Sequence, residues 1–109
     1  MNMINGKMIV VVLPAYNAEK TIKLTVNEID REVVDKIILI DDNSSDQTIN
    51  LGLELDLIIY KHNVNLGYGG NQKSCYAIAL SEGADIIIMV HPDYQYTPKL
   101  IPVMAWMLA

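Results

Sequence analysis

Four apolar runs punctuate the chain: MIVVVL at 8–13, KIILI at 36–40, LIIY at 57–60 and DIIIMV at 85–90. They are rich in Ile and Val and show little alternation. That pattern predicts strands buried on both faces, as in a parallel sheet. Between the runs the period changes. Ile22, Val26, Ile29 and Val33 follow one another at helical spacing and predict a helix with one apolar face. A second, short helix is predicted over Asp46 to Leu55. A third is predicted over Asn71 to Glu82, with Tyr76, Ala79 and Leu80 inward and Gly83 as its stop. A last helix is expected to start near Pro98. Strict alternation of strand and helix predicts an α/β fold: a doubly wound, mainly parallel four-stranded sheet flanked by helices, with right-handed crossovers. No repeat or linker divides the chain, so residues 1–109 read as one domain.

Ligands of such sheets sit beyond the carboxyl ends of the strands. The polar segments fall there. PAYNAE follows the first strand, DDNSSD the second, KHNVNLGYGG the third and HPDYQY the fourth, so all four are expected on one rim.

Composition narrows the chemistry. Hydrophobic residues make up 51% and charged residues 19%, which suits a packed globule. A net charge of −5 argues against a nucleic-acid partner. A negative protein that takes a negative ligand needs a metal, a helix N-terminus or a few placed cations. Cys75 is the single cysteine, so no internal disulfide can form, and a reducing, cytoplasmic compartment is expected. No run approaches the roughly 20 apolar residues of a membrane span. The chain ends inside the apolar stretch LIPVMAWMLA, which reads as a truncated domain.

Each polar segment has a chemical and a local reading. Asp41 and Asp42 can accept hydrogen bonds from a base or ribose, or hold a divalent ion. One residue of Asp42 to Ser45 can instead cap the next helix. Pro14 ends the first strand, and Tyr16 offers a flat face on which a nucleobase could pack. Asn17 with Glu19 would equally open a helix. Gly67, Gly69 and Gly70 let backbone N–H groups approach a phosphate, or form an ordinary turn. If 91–95 is extended, His91, Asp93 and Gln95 share a side and could serve Mn²⁺ or Mg²⁺. The other reading is a surface turn.

In this order and with these gaps, VVLPAYNAEKTI, IILIDDNSSDQT, NLGYGGNQKSCYAIALSEGADIIIMV and HPDYQYTP resemble the nucleotide-binding half of family-2 glycosyltransferases, an inverting group with a GT-A fold. They are similar in particular to the polyprenol-phosphate sugar transferases. The resemblance implies a nucleotide pocket lined by Pro14, Ala15, Tyr16 and Asp41 or Asp42, with Gly67 and Gly70 beside it. The family's D-x-D motif falls on His91-Pro92-Asp93. Asp93 then holds the metal, Gln95 assists, and His91 stands where the first acid belongs. The implied donor is a nucleotide-diphosphate sugar and the implied cofactor Mg²⁺ or Mn²⁺. The resemblance suggests a lipid phosphate as acceptor, at the cytoplasmic face of a membrane. The catalytic base is expected beyond Ala109, so the fragment alone is expected to be inactive. Its uncovered sheet edge and apolar end are expected to make it a homo-oligomer.

Two rivals differ in class. A receiver-type signalling domain would carry its acidic pair after the first strand and a phosphorylatable Asp after the third. Here the pair follows the second strand, and the third ends in Lys61-His62. A non-catalytic sugar-nucleotide-binding module is the other, with His91 marking a lost metal site.

Overall fold

The computed structural model describes residues 6–92. Four strands, β1 (Ile9–Ala15), β2 (Lys36–Asp41), β3 (Ile58–Lys61) and β4 (Ile86–Met89), form one sheet in the order β3-β2-β1-β4, every pair parallel. Helices α1 (Ile22–Asn27), α2 (Thr48–Glu54) and α3 (Gly67–Ser81) connect them. The chain first steps outward from β1 to β2 to β3, then returns past β1 to β4. With right-handed crossovers, that reversal puts the last helix on the opposite face from the first two. The core divides accordingly. Ile9, Val11, Leu13 and Leu39 pack with Ile22 and Val26 of α1 on one face. Val10, Val12, Ile38 and Ile40 pack with Cys75 and Ala79 of α3 on the other. Every residue of β1 is buried, which is why its sequence is apolar without alternation.

Several boundaries depart from the pattern of the sequence, each for a physical reason. Pro14 does not end β1; the strand runs on to Ala15. In a parallel strand successive residues turn their N–H and C=O to opposite neighbours. Ala15 faces β2, where its carbonyl accepts the Asp42 N–H at 2.8 Å. Val12 faces β4 and accepts from Val90 at 3.0 Å. Pro14 has the parity of Val12, but the β1–β4 ladder ends at the pair Val12–Met89. Its missing donor therefore falls where no strand needs it.

Helix α1 stops at Asn27, short of the predicted Val33. Asp30 accepts the Glu32 N–H through its side chain at 2.9 Å, a local turn that competes with the helix. Ile29 and Val34 stay buried all the same.

Helix α3 begins four residues earlier than predicted, and of the three residues expected inward only Ala79 is buried. Asn71, Cys75 and Ala79 are buried, whereas Tyr76 and Leu80 are 49% and 64% exposed. Small residues let this helix lie close against β1 and β2, and bulk at those positions would hold it off. Gly83 does stop the helix, with φ +91° and its N–H donating to the Leu80 carbonyl. The helix expected near Pro98 lies outside the described residues.

Candidate functional site

The chain reverses its winding at β1, and a cleft opens there at the carboxyl ends of the strands. It has two lobes of about 270 Å³ each. The first is lined by Pro14, Ala15, Tyr16, Asp42, Asn65, Gly67, Tyr68 and Asn71. The second is lined by Pro14, Tyr16, Asn17, Ala18, Thr21, Tyr68, His91 and Pro92. Pro14, Tyr16 and Tyr68 belong to both, so the lobes form one groove with a tyrosine on each side. Those tyrosines are 55% and 60% exposed, large aromatic faces left uncovered by the fold. Each lobe alone is at the small end for a ligand pocket; together they suit an elongated ligand.

The two adjacent acids part company. Asp41 is fully buried and accepts both the N–H (2.8 Å) and the hydroxyl of Ser44. Asn43, at φ +64°, supplies the left-handed turn that brings Ser44 back to it. Asp42 faces the first lobe. Its Oδ1 accepts from Leu66 N–H at 2.8 Å and lies 2.8 Å from His62 Nδ1; its Oδ2 accepts from Gly67 N–H at 3.0 Å. Burial pushes the Asp42 carboxyl up, but the Leu66, His62 and Gly67 donors and the nearby imidazole outweigh it and hold the group below its ordinary value of 3.8.

The rest of the DDNSSDQT segment fastens the β1–α1 loop. Asn17 N–H donates to Ser44 Oγ at 2.8 Å, and Ser45 N–H returns a bond to Asn17 Oδ1 at 2.9 Å. Ala18 N–H donates to Thr48 Oγ1 at 2.8 Å. Glu19 and Asp46 exchange bonds with backbone N–H groups on each other's loops at 3.2 Å. These long-range bonds hold Tyr16 and Asp42 on a common wall. None of Asp42 to Ser45 caps α2: its N-cap position is Gln47, without a side-chain cap bond, and Asp46 just before it accepts the Thr48 N–H at 2.9 Å.

The glycines serve the fold as well as the groove. Gly67, at φ +79°, lines the first lobe, and its N–H is spent on Asp42 and on Asn65 Oδ1. The anion at the N-terminus of α3 is thus the protein's own carboxylate. Gly70 does not line the groove. A Cβ there would sit 2.8 Å from Leu66 Cβ, so its smallness lets the preceding loop fold onto α3.

His91 lines the second lobe. Its Nε2 lies 3.0 Å from the Tyr68 hydroxyl, which also accepts from Gln72 Nε2 at 2.9 Å, and its ring is tilted 35° against Tyr68. Thr21 Oγ1 donates to the Pro92 carbonyl and ties the start of α1 to the same loop. Of the metal ligands expected from the sequence, only His91 is described. Asp93 and Gln95 lie outside the described residues. Among the described residues, no three His, Cys, Asp or Glu side chains gather as a metal site. The Tyr68 contact leaves His91 Nε2 engaged with a hydroxyl.

The sequence did not single out Asn65, Tyr68, Asn71 or His62 for this rim. All belong to the segment after β3 or to the first turns of α3. The one legible signal was that KHNVNLGYGG would open on the same edge as Asp42 and Tyr16.

Comparison with known proteins agrees with this fold. The family model described as glycosyl transferase family 2 matches residues 10–108. A UDP-N-acetylglucosamine–dolichyl-phosphate N-acetylglucosaminyltransferase of Methanococcus voltae is 34% identical over 84% of this chain and 43% of its own length. An uncharacterised protein of Methanocaldococcus jannaschii is 36% identical over 90% of this chain and 40% of its own. The chain therefore spans about two fifths of the length of these relatives. Among solved structures, glucosyl-3-phosphoglycerate synthase from Mycobacterium tuberculosis, in complex with Mn²⁺, UDP and glucosyl-3-phosphoglycerate, superposes with a TM-score of 0.75. It is 26% identical over 90% of this chain and 38% of that one. Mannosyl-3-phosphoglycerate synthase from Rubrobacter xylanophilus shares the fold, with a TM-score of 0.75 at 19% identity.

Proposed function

Given that the chain belongs to glycosyl transferase family 2, we propose that its groove binds the nucleotide half of a nucleotide-diphosphate sugar for inverting transfer, in the parent protein, to a lipid phosphate. One observation carries the reading: a single groove at the reversal point of the sheet joins an exposed aromatic face, Tyr16, to an ionised carboxylate, Asp42.

The first lobe takes the base. Tyr16 stacks on it. An ionised carboxylate can only accept hydrogen bonds, and Asp42 Oδ2 receives just one from the described residues. It therefore favours a base with a ring N–H, such as uracil, over cytosine, whose corresponding ring nitrogen is an acceptor. UDP in the mycobacterial synthase supports the choice of uridine. The ribose and diphosphate run into the second lobe, past Tyr68 towards His91. Because the α3 N-terminus is already occupied by Asp42, the diphosphate needs its positive partner elsewhere. Mg²⁺ or Mn²⁺ held by Asp93, with Gln95 assisting, would supply that charge and stabilise the departing diphosphate. The metal complexes of the mycobacterial synthase favour such an ion. The described residues bind, orient and shield the donor. A carboxylate that takes the acceptor's proton is expected beyond them.

Calorimetry of the protein with UDP, CDP and GDP, each with and without Mn²⁺, tests the donor half. UDP should bind, CDP should bind at least tenfold more weakly, and Tyr16→Ala should weaken UDP at least fivefold. Equal affinity for UDP and CDP would remove Asp42 from base recognition. Incubating full-length protein with a labelled UDP-sugar and polyprenyl phosphate tests the acceptor half. Product with the anomeric configuration of the donor would overturn inversion.

A further inference from the structure

Asp42 is one end of a hydrogen-bonded chain. His62 Nδ1 lies 2.8 Å from Asp42 Oδ1, and His62 Nε2 lies 2.8 Å from Ser74 Oγ. The imidazole is 14% exposed, and the carboxylate 4%. His62 follows β3 directly and Ser74 sits in the second turn of α3, so the chain crosses from the rim of the sheet to the helix that packs over it.

The connectivity is that of an Asp-His-Ser hydrolase, but the surroundings are not. Ser74 lines neither lobe of the groove. It stands inside α3, whose interior backbone N–H groups are spent on helix bonds, so none is available there for an oxyanion. The chain must act through its other end, the carboxylate in the first lobe.

We infer that His62 is a positioning residue of the donor site: it fixes the rotamer of Asp42 that leaves Oδ2 turned to the base, and Ser74 fixes His62. This rests on the proposed donor site. The protonation pattern follows from Asp42. An ionised carboxylate only accepts, so His62 Nδ1 carries a proton whatever its charge. Without the imidazole, the carboxylate would keep two backbone donors, Leu66 N–H on Oδ1 and Gly67 N–H on Oδ2, but lose its side-chain partner, and it could tilt to bond water, giving up part of its alignment with the base.

Three substitutions separate alignment from mere packing. Asn places its amide N–H near the position of Nδ1, so His62→Asn can still reach Asp42. Gln extends to the position of Nε2, so His62→Gln can reach Ser74 but not Asp42. His62→Ala reaches neither. The probe is UDP, titrated by calorimetry into wild type and each variant, with melting temperature measured alongside. His62→Ala and His62→Gln should raise the UDP Kd at least tenfold, while His62→Asn stays within threefold of wild type. Ser74→Ala, which spares the inner bond, should raise it two- to fivefold and serves if the His62 variants do not fold. Equal Kd values throughout, or losses that follow melting temperature rather than the Asn–Gln distinction, would overturn the inference. Wild type that fails to bind UDP would instead overturn the donor site itself. Nitrogen-15 NMR of the imidazole gives a ligand-free check: a proton on Nδ1 is expected, and a neutral ring bearing it only on Nε2 would overturn the relay.

Discussion

Asp41 and Asp42 are adjacent in the chain and both buried, yet their carboxylates have separate partners: Asp41 closes on Ser44, and Asp42 on Leu66, His62 and Gly67 beside the groove. Separation of the partners also separates the consequences of mutation. Asp41→Asn weakens a charge-assisted pair in the core and should cost about 1.5–3 kcal/mol of stability. That is a fall of several degrees in melting temperature for a domain of this size. Its effect on UDP affinity at low temperature should be small. Asp42→Asn should do the opposite in proportion, raising the UDP Kd at least tenfold. Denaturant curves and calorimetry on the two variants check this; similar binding defects in both would refute the division of labour.

Acid should undo the fold through the same carboxylates. Asp42 and Asp46 are each pushed up by burial and pulled down further by hydrogen-bond donors, ending below their ordinary 3.8. A depressed folded-state pKa adds stability that is fully present above the unfolded value and is lost as pH falls through the folded value. Melting temperature should therefore be flat from pH 7 to about pH 5 and drop below about pH 4. Asp42→Asn should flatten part of that drop. An unchanged acid limb in the variant would mean that Asp42 is not a source of it.

Two glycines two residues apart should respond with opposite sign. Gly67 has φ +79°, and a side chain there would be strained even though the space is open, at a cost of about 1–2 kcal/mol. Gly69 also has open space around it and lies within α3, where alanine is favoured over glycine by roughly 0.5–1 kcal/mol. Gly67→Ala should lower the melting temperature and Gly69→Ala should raise it. A rise in both would show that the α3 N-terminus relaxes to ordinary helical angles.

Cys75 should be unreactive. It is fully buried between α3 and the sheet, and burial pushes its thiol up to about 12. Since the thiolate is the reactive form, alkylation at neutral pH should be slow in the folded protein and fast in denaturant. Rapid labelling under native conditions would place α3 off the sheet for much of the time.

The amino-acid sequence alone determined the strands, the alternation with helices and the rim on which the polar segments gather. Those features are local: an unbroken Ile/Val run declares a strand buried on both faces, and a polar tail marks its carboxyl end. Length and glycine placement also announced the stop of α3 at Gly83. Which face of α3 turns inward was not legible, because Tyr76 and Leu80 are apolar while the sheet accepts the smaller Cys75 and Ala79. The decision between Asp41 and Asp42 was likewise tertiary. Two identical side chains differ only in their partners, and those of Asp42 come from 20 to 25 residues away, brought to it by β3 and α3. The same holds for His62, whose place beside Asp42 depends on β2 and β3 pairing in parallel up to Asp41 and Lys61. Local pattern decides what each segment becomes; only the order of strands in the sheet decides which segments meet.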